Sequence, residues 1–138
     1  MRMRRQRGFT LIELLVVLAI LAMLAAIVVP RVFRNLEKAK VNTAKTQIAA
    51  FESAISAYRL DVGSFPTTDQ GLQALRTQPG GVENWDGPYL PKDIPPDPWG
   101  HPYVYRCPSE HGDYEIISYG ADGREGGDGV NKDILSWK

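Results

Sequence analysis

The last part of the chain carries acidic side chains of the kind that bind hard cations. Four acids lie within a stretch of twelve residues: Asp122, Glu125, Asp128 and Asp133. Carboxylates crowded in this way repel one another, and a cation held by carboxylate and backbone carbonyl oxygens relieves that repulsion. The four glycines between them let the backbone turn carbonyl groups inward around an ion. The spacing is not that of an EF-hand, so a calcium site and a solvated acidic turn are equally compatible with it.

A second chemically informative residue is Glu13, the only acid in the apolar run from Phe9 to Val29. An ionised carboxylate in a membrane helix costs about 2.5 to 3.5 kcal/mol at the bilayer centre and less near the surface. Glu13 either extends to the lipid headgroups or pairs with a cation on another chain. We favour the second interpretation.

The remaining reactive side chains form no catalytic or zinc motif. Ser109 and His111 lack the nucleophile elbow and glycine pattern of a hydrolase. His101, His111 and Cys107 are scattered and have no obvious fourth ligand, so they form no zinc motif. Because Cys107 is the single cysteine, the chain cannot form an internal disulfide. Basic and acidic residues balance at 16 each, which gives no reason to expect a nucleic-acid partner. We therefore predict neither enzymatic activity nor nucleic-acid binding.

The elements that must position these residues divide the chain into a long helix and a loop-rich part. All but one of the 13 glycines and all but one of the 10 prolines follow Asp61. Residues 9–29 would span about 31 Å as a helix, enough to cross a membrane. Residues 30–62 continue it as an amphipathic segment, in which we expect a bend at Pro30 and an end at Gly63. The apolar face predicted to pack on a core comprises Phe33, Leu36, Ala44, Ile48, Phe51, Ile55 and Tyr58.

Residues 63–138 are predicted to form a compact part with a small antiparallel sheet packed on the long helix. A short helix is expected from about residue 68 to residue 77. Two strands rich in Tyr, Val and Ile are expected over residues 102–106 and 114–119, after a loop rich in proline and glycine. The predicted fold class is therefore α+β.

Residues 7–17, Arg-Gly-Phe-Thr-Leu-Ile-Glu-Leu-Leu-Val-Val, resemble the signal segment of type IV pilins and pseudopilins. The resemblance implies that a prepilin peptidase cleaves between Gly8 and Phe9, removing residues 1–8 as a leader, and that Phe9 is then N-methylated. It implies that the apolar run is retained as both membrane anchor and filament spine. It also implies that Glu13 meets the N-terminal amine of a neighbouring subunit.

Three later stretches narrow the resemblance to the major pseudopilins of type II secretion systems. Residues 65–75, 97–103 and 118–137 are similar to the corresponding parts of that family, so the resemblance covers nearly the whole chain. Departures are small, and the clearest are His101, where Asn is common in the family, and Tyr119, where Leu is common. The family fold, type IV pilin-like, has a long helix packed on a small sheet.

The family also binds one calcium ion in its acidic C-terminal loop, and the resemblance implies the same ion here. The expected side-chain ligands are Asp122 and Asp128, while Asp133 either binds the ion or orients the loop. Further expected ligands are the backbone carbonyls of Tyr119, Glu125 and Val130. Such an ion would take the place of a disulfide in a small part with a limited core.

The function implied by the resemblance is structural. Copies would form a homopolymer, a helical filament in the periplasm that drives folded exoproteins across the outer membrane. Each subunit would start in the inner membrane with its N-terminus in the cytoplasm, and Pro30 would act as a hinge at the membrane exit. The implied partners are minor pseudopilins, the prepilin peptidase, an assembly platform with a cytoplasmic ATPase, and the secretin channel.

Two alternatives stay open. One is a type IV pilin for adhesion or motility, although those usually close a C-terminal loop with a disulfide that the single Cys107 cannot form. The other is a membrane-anchored, calcium-dependent binding module in which the apolar run serves only as an anchor.

Overall fold

A computed structural model describes residues 7–138, so most of the leader predicted over residues 1–8 lies outside the described residues. The chain divides into a first unit that ends at Glu37 and a second unit, Lys38–Lys138. In chain order the elements are helix α1 (Leu11–Val62), a 3₁₀ helix (Leu72–Leu75), strands β1 (Val104–Arg106) and β2 (Glu115–Ser118), a 3₁₀ helix (Gly129–Asn131) and strand β3 (Ile134–Leu135).

The first unit consists of the apolar half of α1 and the residues before it. Pro30 lies inside α1 without ending it, although it has no N–H to donate to the carbonyl of residue 26. The prediction that Phe33 and Leu36 pack on a core is wrong for the chain alone, because their side chains are 62% and 48% exposed. The apolar periodicity continues through both residues, but the described part of this unit supplies no second element to cover them.

The second unit has one core, built around the later turns of α1. The other predicted core residues of α1 are buried, as is one not predicted: Ala44, Ile48, Phe51, Ile55, Tyr58 and, unpredicted, Ala54. The rings of Phe51 and Tyr103 pack edge to face with centroids 5.1 Å apart. The helix ends as predicted, because Gly63 adopts φ +90° and its N–H donates to the Arg59 carbonyl at 2.8 Å.

The sheet is antiparallel, with β2 in the centre between β1 and β3. The predicted strands exist but are shorter than expected, partly because Pro102 has no N–H for a ladder. The third strand was not predicted, since it has two residues and too little alternation to recognise. The Ser136 N–H extends this edge by donating to the Ile116 carbonyl at 3.0 Å.

The helix predicted over residues 68–77 is reduced to the four-residue 3₁₀ helix Leu72–Leu75. Gly71, with φ +61°, interrupts the segment, and a helix cannot continue through a residue in that conformation. The turn before Gly71 is closed by a reciprocal pair of hydrogen bonds. The Thr67 N–H donates to Gln70 Oε1 at 2.9 Å, and the Gln70 N–H donates to Thr67 Oγ1 at 3.2 Å.

A buried aspartate fixes the long loop that precedes β1. Asp97 is 3% exposed, and its Oδ1 accepts the N–H groups of Trp99 and His101 at 3.1 and 2.8 Å. Its Oδ2 accepts the hydroxyl of Ser118, in β2, at 2.6 Å. This carboxylate therefore holds the loop against the sheet, because a buried charge left without such partners is costly.

Candidate functional site

The two polar residues of the apolar run cap the start of α1. The Thr10 N–H donates to Glu13 Oε2 at 3.1 Å, and the Glu13 N–H donates to Thr10 Oγ1 at 3.2 Å. This reciprocal pair is a capping box, which satisfies N–H groups that have no partner within the helix. The sequence interpretation gave Glu13 either an extension to the lipid headgroups or a cation on another chain, and it missed the cap. The Thr-x-x-Glu spacing was the signal for that cap.

The helix that follows presents its apolar side chains to the surroundings. Every large apolar side chain from Leu11 to Val29 is between 46% and 76% exposed. This part of α1 is long and apolar enough to cross a membrane, and its most apolar stretch is not buried by any described residue. Phe9 is 90% exposed, and with Arg7, Gly8 and Glu13 it lines an open hollow. The predicted cleavage and methylation positions are thus in an exposed segment, and their processing stays a prediction.

The acidic C-terminal loop is a close-packed turn that depends on glycine. Gly120 has φ +70°, and a Cβ there would lie 2.9 Å from the Val130 carbonyl oxygen and 3.0 Å from that of Lys132. The two ends of the loop are joined where the Ala121 N–H donates to the Val130 carbonyl at 2.9 Å. The loop therefore brings backbone carbonyls close together, and only glycine leaves them room at residue 120.

Asp133 is the one predicted acid that reaches into this turn. Its Oδ2 accepts the Gly126 N–H at 2.9 Å. Its other oxygen, Oδ1, is buried and has no hydrogen-bond partner among the described residues. A buried carboxylate oxygen without a partner costs free energy, and a cation is the partner that such an oxygen prefers. This atom fits the expected calcium ion.

The side chains of the other expected calcium ligands do not converge around one point. Asp122 and Asp128 are exposed, and Asp122 Oδ1 accepts the Arg124 N–H at 3.1 Å. Glu125 is also exposed, while the hydroxyl of Tyr119 accepts a hydrogen bond from Arg106 at 3.2 Å. Within residues 7–138, no three acidic, histidine or cysteine side chains converge as a metal-binding group. The calcium ligand set therefore stays a prediction, supported by Asp133 Oδ1 and the carbonyl-rich turn.

Sequence reasoning missed a second buried carboxylate, Glu115, because an acid in a strand gives no signal of burial. Its side chain is 6% exposed and accepts hydrogen bonds from Ser109 at 2.7 Å, His111 at 3.0 Å and Arg106 at 3.0 Å. These bonds, that from Ser109 first, hold the pKa of Glu115 below its usual range despite burial. The His111 ring also stacks on Trp137 with centroids 4.0 Å apart. The turn between β1 and β2 is therefore tied down.

Comparisons with known proteins agree with this architecture. The family model described as "Type II secretion system (T2SS), protein G" matches residues 31–137, and that described as "Prokaryotic N-terminal methylation motif" matches residues 3–29. The chain belongs to the type II secretion system protein G family. Two relatives named "Type II secretion system core protein G" illustrate the similarity. That of Vibrio cholerae is 48% identical, with 99% of this chain and 94% of the relative covered, and that of Pseudomonas aeruginosa is 46% identical, with 99% of each covered.

A solved structure of this family supports the fold assignment. The crystal structure of the major pseudopilin from the type 2 secretion system of enterohaemorrhagic Escherichia coli matches with a TM-score of 0.65 and 34% identity. The match covers 75% of this chain and 90% of that one. The predicted α+β, pilin-like fold is thus confirmed, and so is the predicted membership of the major pseudopilins. These comparisons favour neither of the two alternatives, a type IV pilin for adhesion or motility and a membrane-anchored binding module. Protein G family members are structural components of a secretion system.

Proposed function

We propose that this chain is the principal subunit of a periplasmic filament, in which the exposed half of α1 forms the shared spine. The observation that carries the proposal is the long apolar surface from Leu11 to Val29, which no described residue covers and which a single acid interrupts near its start. Such a surface is stable only in lipid or against other copies of itself. Packing the same helix face head to tail makes a heterologous contact, which generates an open helical polymer when the rotation does not close.

The proposed contact that sets the register joins Glu13 of one copy to the Phe9 amine of the next. Cleavage between Gly8 and Phe9 would create that amine, and methylation would leave it positively charged. Opposite charges attract strongly in a low-dielectric spine, although desolvation offsets much of the gain. The pair therefore fixes register more than it adds stability. The Thr10 N–H bond to Glu13 would be retained or exchanged without breaking the helix.

The same proposal includes where the subunit lies in the cell and which proteins it contacts. Before assembly the subunit would sit in the bacterial inner membrane as a single-pass protein, with a cytoplasmic N-terminus and a periplasmic second unit. The prepilin peptidase would process it, and the platform with its cytoplasmic ATPase would add it to the filament beside minor pseudopilins. Growth toward the secretin channel would push folded exoproteins across the outer membrane. The chain's own role would be mechanical and not catalytic, with Pro30 as the hinge at the membrane exit.

The charge of Glu13 and its part in the helix cap can be tested separately by substitutions at Glu13 and Thr10. Glu13→Gln keeps the capping-box spacing, since Gln serves at that position, but removes the charge. Thr10→Ala removes half of the cap and keeps the charge. We expect Glu13→Gln to reduce filaments and exoprotein secretion at least 10-fold and Thr10→Ala to change them much less, as counted by electron microscopy and by secreted activity. Normal filaments from Glu13→Gln would contradict the proposed spine contact.

We also propose that the acidic loop holds one Ca²⁺. Asp122 and Asp128 would bind it with their side chains, Asp133 would contribute its unpartnered Oδ1, and backbone carbonyls would complete the set at Tyr119, Glu125 and Val130. The ion would neutralise the crowded carboxylates and tie the ends of the loop together.

Calcium binding is tested by calorimetric titration of the full chain in detergent after removal of metal. We expect one ion per chain for the wild type, and a loss of affinity of at least 10-fold for both Asp122→Asn and Asp133→Asn. Asp113→Asn, an exposed acid outside the loop, is the matched control and should bind as the wild type does. Absence of binding heat in the wild type, or equal weakening in the control, would rule out this site.

A further inference from the structure

We propose that copies of this chain also meet end to end, through oppositely charged surfaces at the two ends of the second unit. This contact rests on the filament proposed above and identifies a further surface within it. The basic surface, called the lysine hollow, is lined by Val41, Lys45, Lys132, Ile134 and Lys138. The opposing surface, called the acidic end, comprises Asp61 and Asp86, which the Tyr89 hydroxyl holds together.

The lysine hollow is a concave, positively charged cavity with a volume of about 300 Å³, and it lies between the start of the second unit's helix and β3. Its three lysines are exposed, and none of them forms an ion pair with residues 7–138. Asp133 is the one acidic side chain that lines it, and one oxygen of that side chain already accepts the Gly126 N–H. The hollow therefore keeps an excess of positive charge beside apolar side chains, which suits a carboxylate-bearing protein surface.

The acidic end is held in shape by one hydroxyl group. The Tyr89 hydroxyl donates to Asp61 Oδ2 at 2.8 Å and accepts the Asp86 N–H at 2.9 Å. Arg59, the basic residue nearest to Asp61 in sequence, lies instead over the Phe65 ring, 4.5 Å from its centroid. The acids are exposed and have no ion pair within the described chain. Because the acidic end is ordered before contact, little conformational entropy is lost when a partner binds.

The two surfaces lie too far apart to satisfy each other within one subunit. Lys45 and Asp61 are both on α1, and a rise of about 1.5 Å per residue puts their Cα atoms about 24 Å apart along the axis. A lysine side chain reaches only a fraction of that distance. Opposite charges at opposite ends of one helical segment are complementary between copies stacked in the same direction. That is a second heterologous contact, and it points along the direction in which a filament grows.

The partner is therefore a second copy of this chain, and zero-length carbodiimide coupling tests it directly. The reagent joins a lysine amine to a carboxylate with which it is in contact. We would treat filaments grown from an equal mixture of unlabelled and ¹⁵N-labelled full-length chains and sequence the coupled peptides. We expect Lys45 or Lys132 coupled to Asp61 or Asp86 in mixed-mass peptides. Coupling of these lysines only within one copy, or only to lipid or exported protein, would overturn the proposal.

Charge exchange gives a second test. We expect Lys45→Glu or Asp86→Lys alone to lower filament yield about 5-fold, since one attraction becomes a repulsion, and the two together to restore most of it. Lys92→Glu, an exposed lysine outside both surfaces, is the matched control and should assemble normally. An unchanged thermal midpoint for each variant would show that folding is intact. The two proposals fail differently: normal filaments from Glu13→Gln overturn the spine, whereas normal filaments from Lys45→Glu overturn only the end-to-end contact.

Discussion

Replacing the buried carboxylate of Glu115 should destabilise the second unit by an amount that depends on the replacement. Glu115 is 4% exposed as a residue and has Ser109, His111 and Arg106 as side-chain donors. Glu115→Gln keeps the size and one acceptor oxygen but turns an amide toward donors. Glu115→Ala removes every acceptor and leaves the Ser109 hydroxyl without its partner.

The contacts set the size of each effect. The Ser109 bond to a buried charge is worth about 1.5 kcal/mol, at the low end of the range for charged hydrogen bonds. The side chains of Arg106 and His111 are about half exposed, at 47% and 46%, so solvent limits the Arg106 ion pair and the His111 hydrogen bond to about 0.5 kcal/mol each. Lost packing adds about 1 kcal/mol when the side chain is truncated. We therefore expect a loss of about 3 to 4 kcal/mol for Glu115→Ala and about 1 to 2 kcal/mol for Glu115→Gln.

The lowered pKa of Glu115 determines how this loss of stability varies with pH. Because the folded state lowers the pKa of Glu115, the stabilisation is present above the ordinary titration range of glutamate and is lost as the pH falls through the lowered value. The difference between wild type and Glu115→Gln should therefore be constant near pH 7 and shrink under acid conditions. Urea unfolding of the full chain in detergent, followed by tryptophan fluorescence, measures it. Equal stability of wild type and Glu115→Gln at pH 7 would refute the reasoning.

Three further substitutions test the loops and the end of α1. Gly120→Ala should lower the free energy of unfolding by about 2 kcal/mol or more, because the residue has φ +70° and a Cβ would press on the Val130 carbonyl. Gly63→Ala, at φ +90° with no atom within 4 Å of the added Cβ, should lower it by only about 1 kcal/mol. Urea unfolding of both variants compares the two losses. Trp85→Phe should cost about 1 kcal/mol, since Trp85 Nε1 donates to the Ala74 carbonyl at 2.7 Å, and it should speed proteolysis of the loop around it.

The sequence was most informative where one physical signal extends over many residues. The apolar run, the later amphipathic turns and Gly63 together predicted a helix that ends where α1 ends, at Val62. Phe33 and Leu36 show the limit of that signal, because periodicity identifies an apolar face without saying whether this chain or another covers it. Burial of such a face belongs to the assembly, which one chain does not contain.

Short elements and buried acids were harder to predict for a different reason. A two-residue strand such as β3 has no periodicity of its own, and its pairing with Ile117 and Ser118 is set by the rest of the fold. Glu115 and Asp97 look like ordinary surface acids in sequence. Their burial depends on donors that come from strands and turns elsewhere in the chain, and such convergence is visible only in three dimensions. Within the acidic loop, composition identified the carboxylates, while the unpartnered Oδ1 of Asp133 singled out one of them.

Among the residues that the structure describes, the cap at the start of α1 uses atoms of Thr10 and Glu13 alone. Every group that initiates the helix therefore lies downstream of the bond between Gly8 and Phe9. A protease that severed that bond would leave both of these hydrogen bonds in place. The newly freed end could change its charge, its methylation and its neighbours while the first turn behind it kept the same shape.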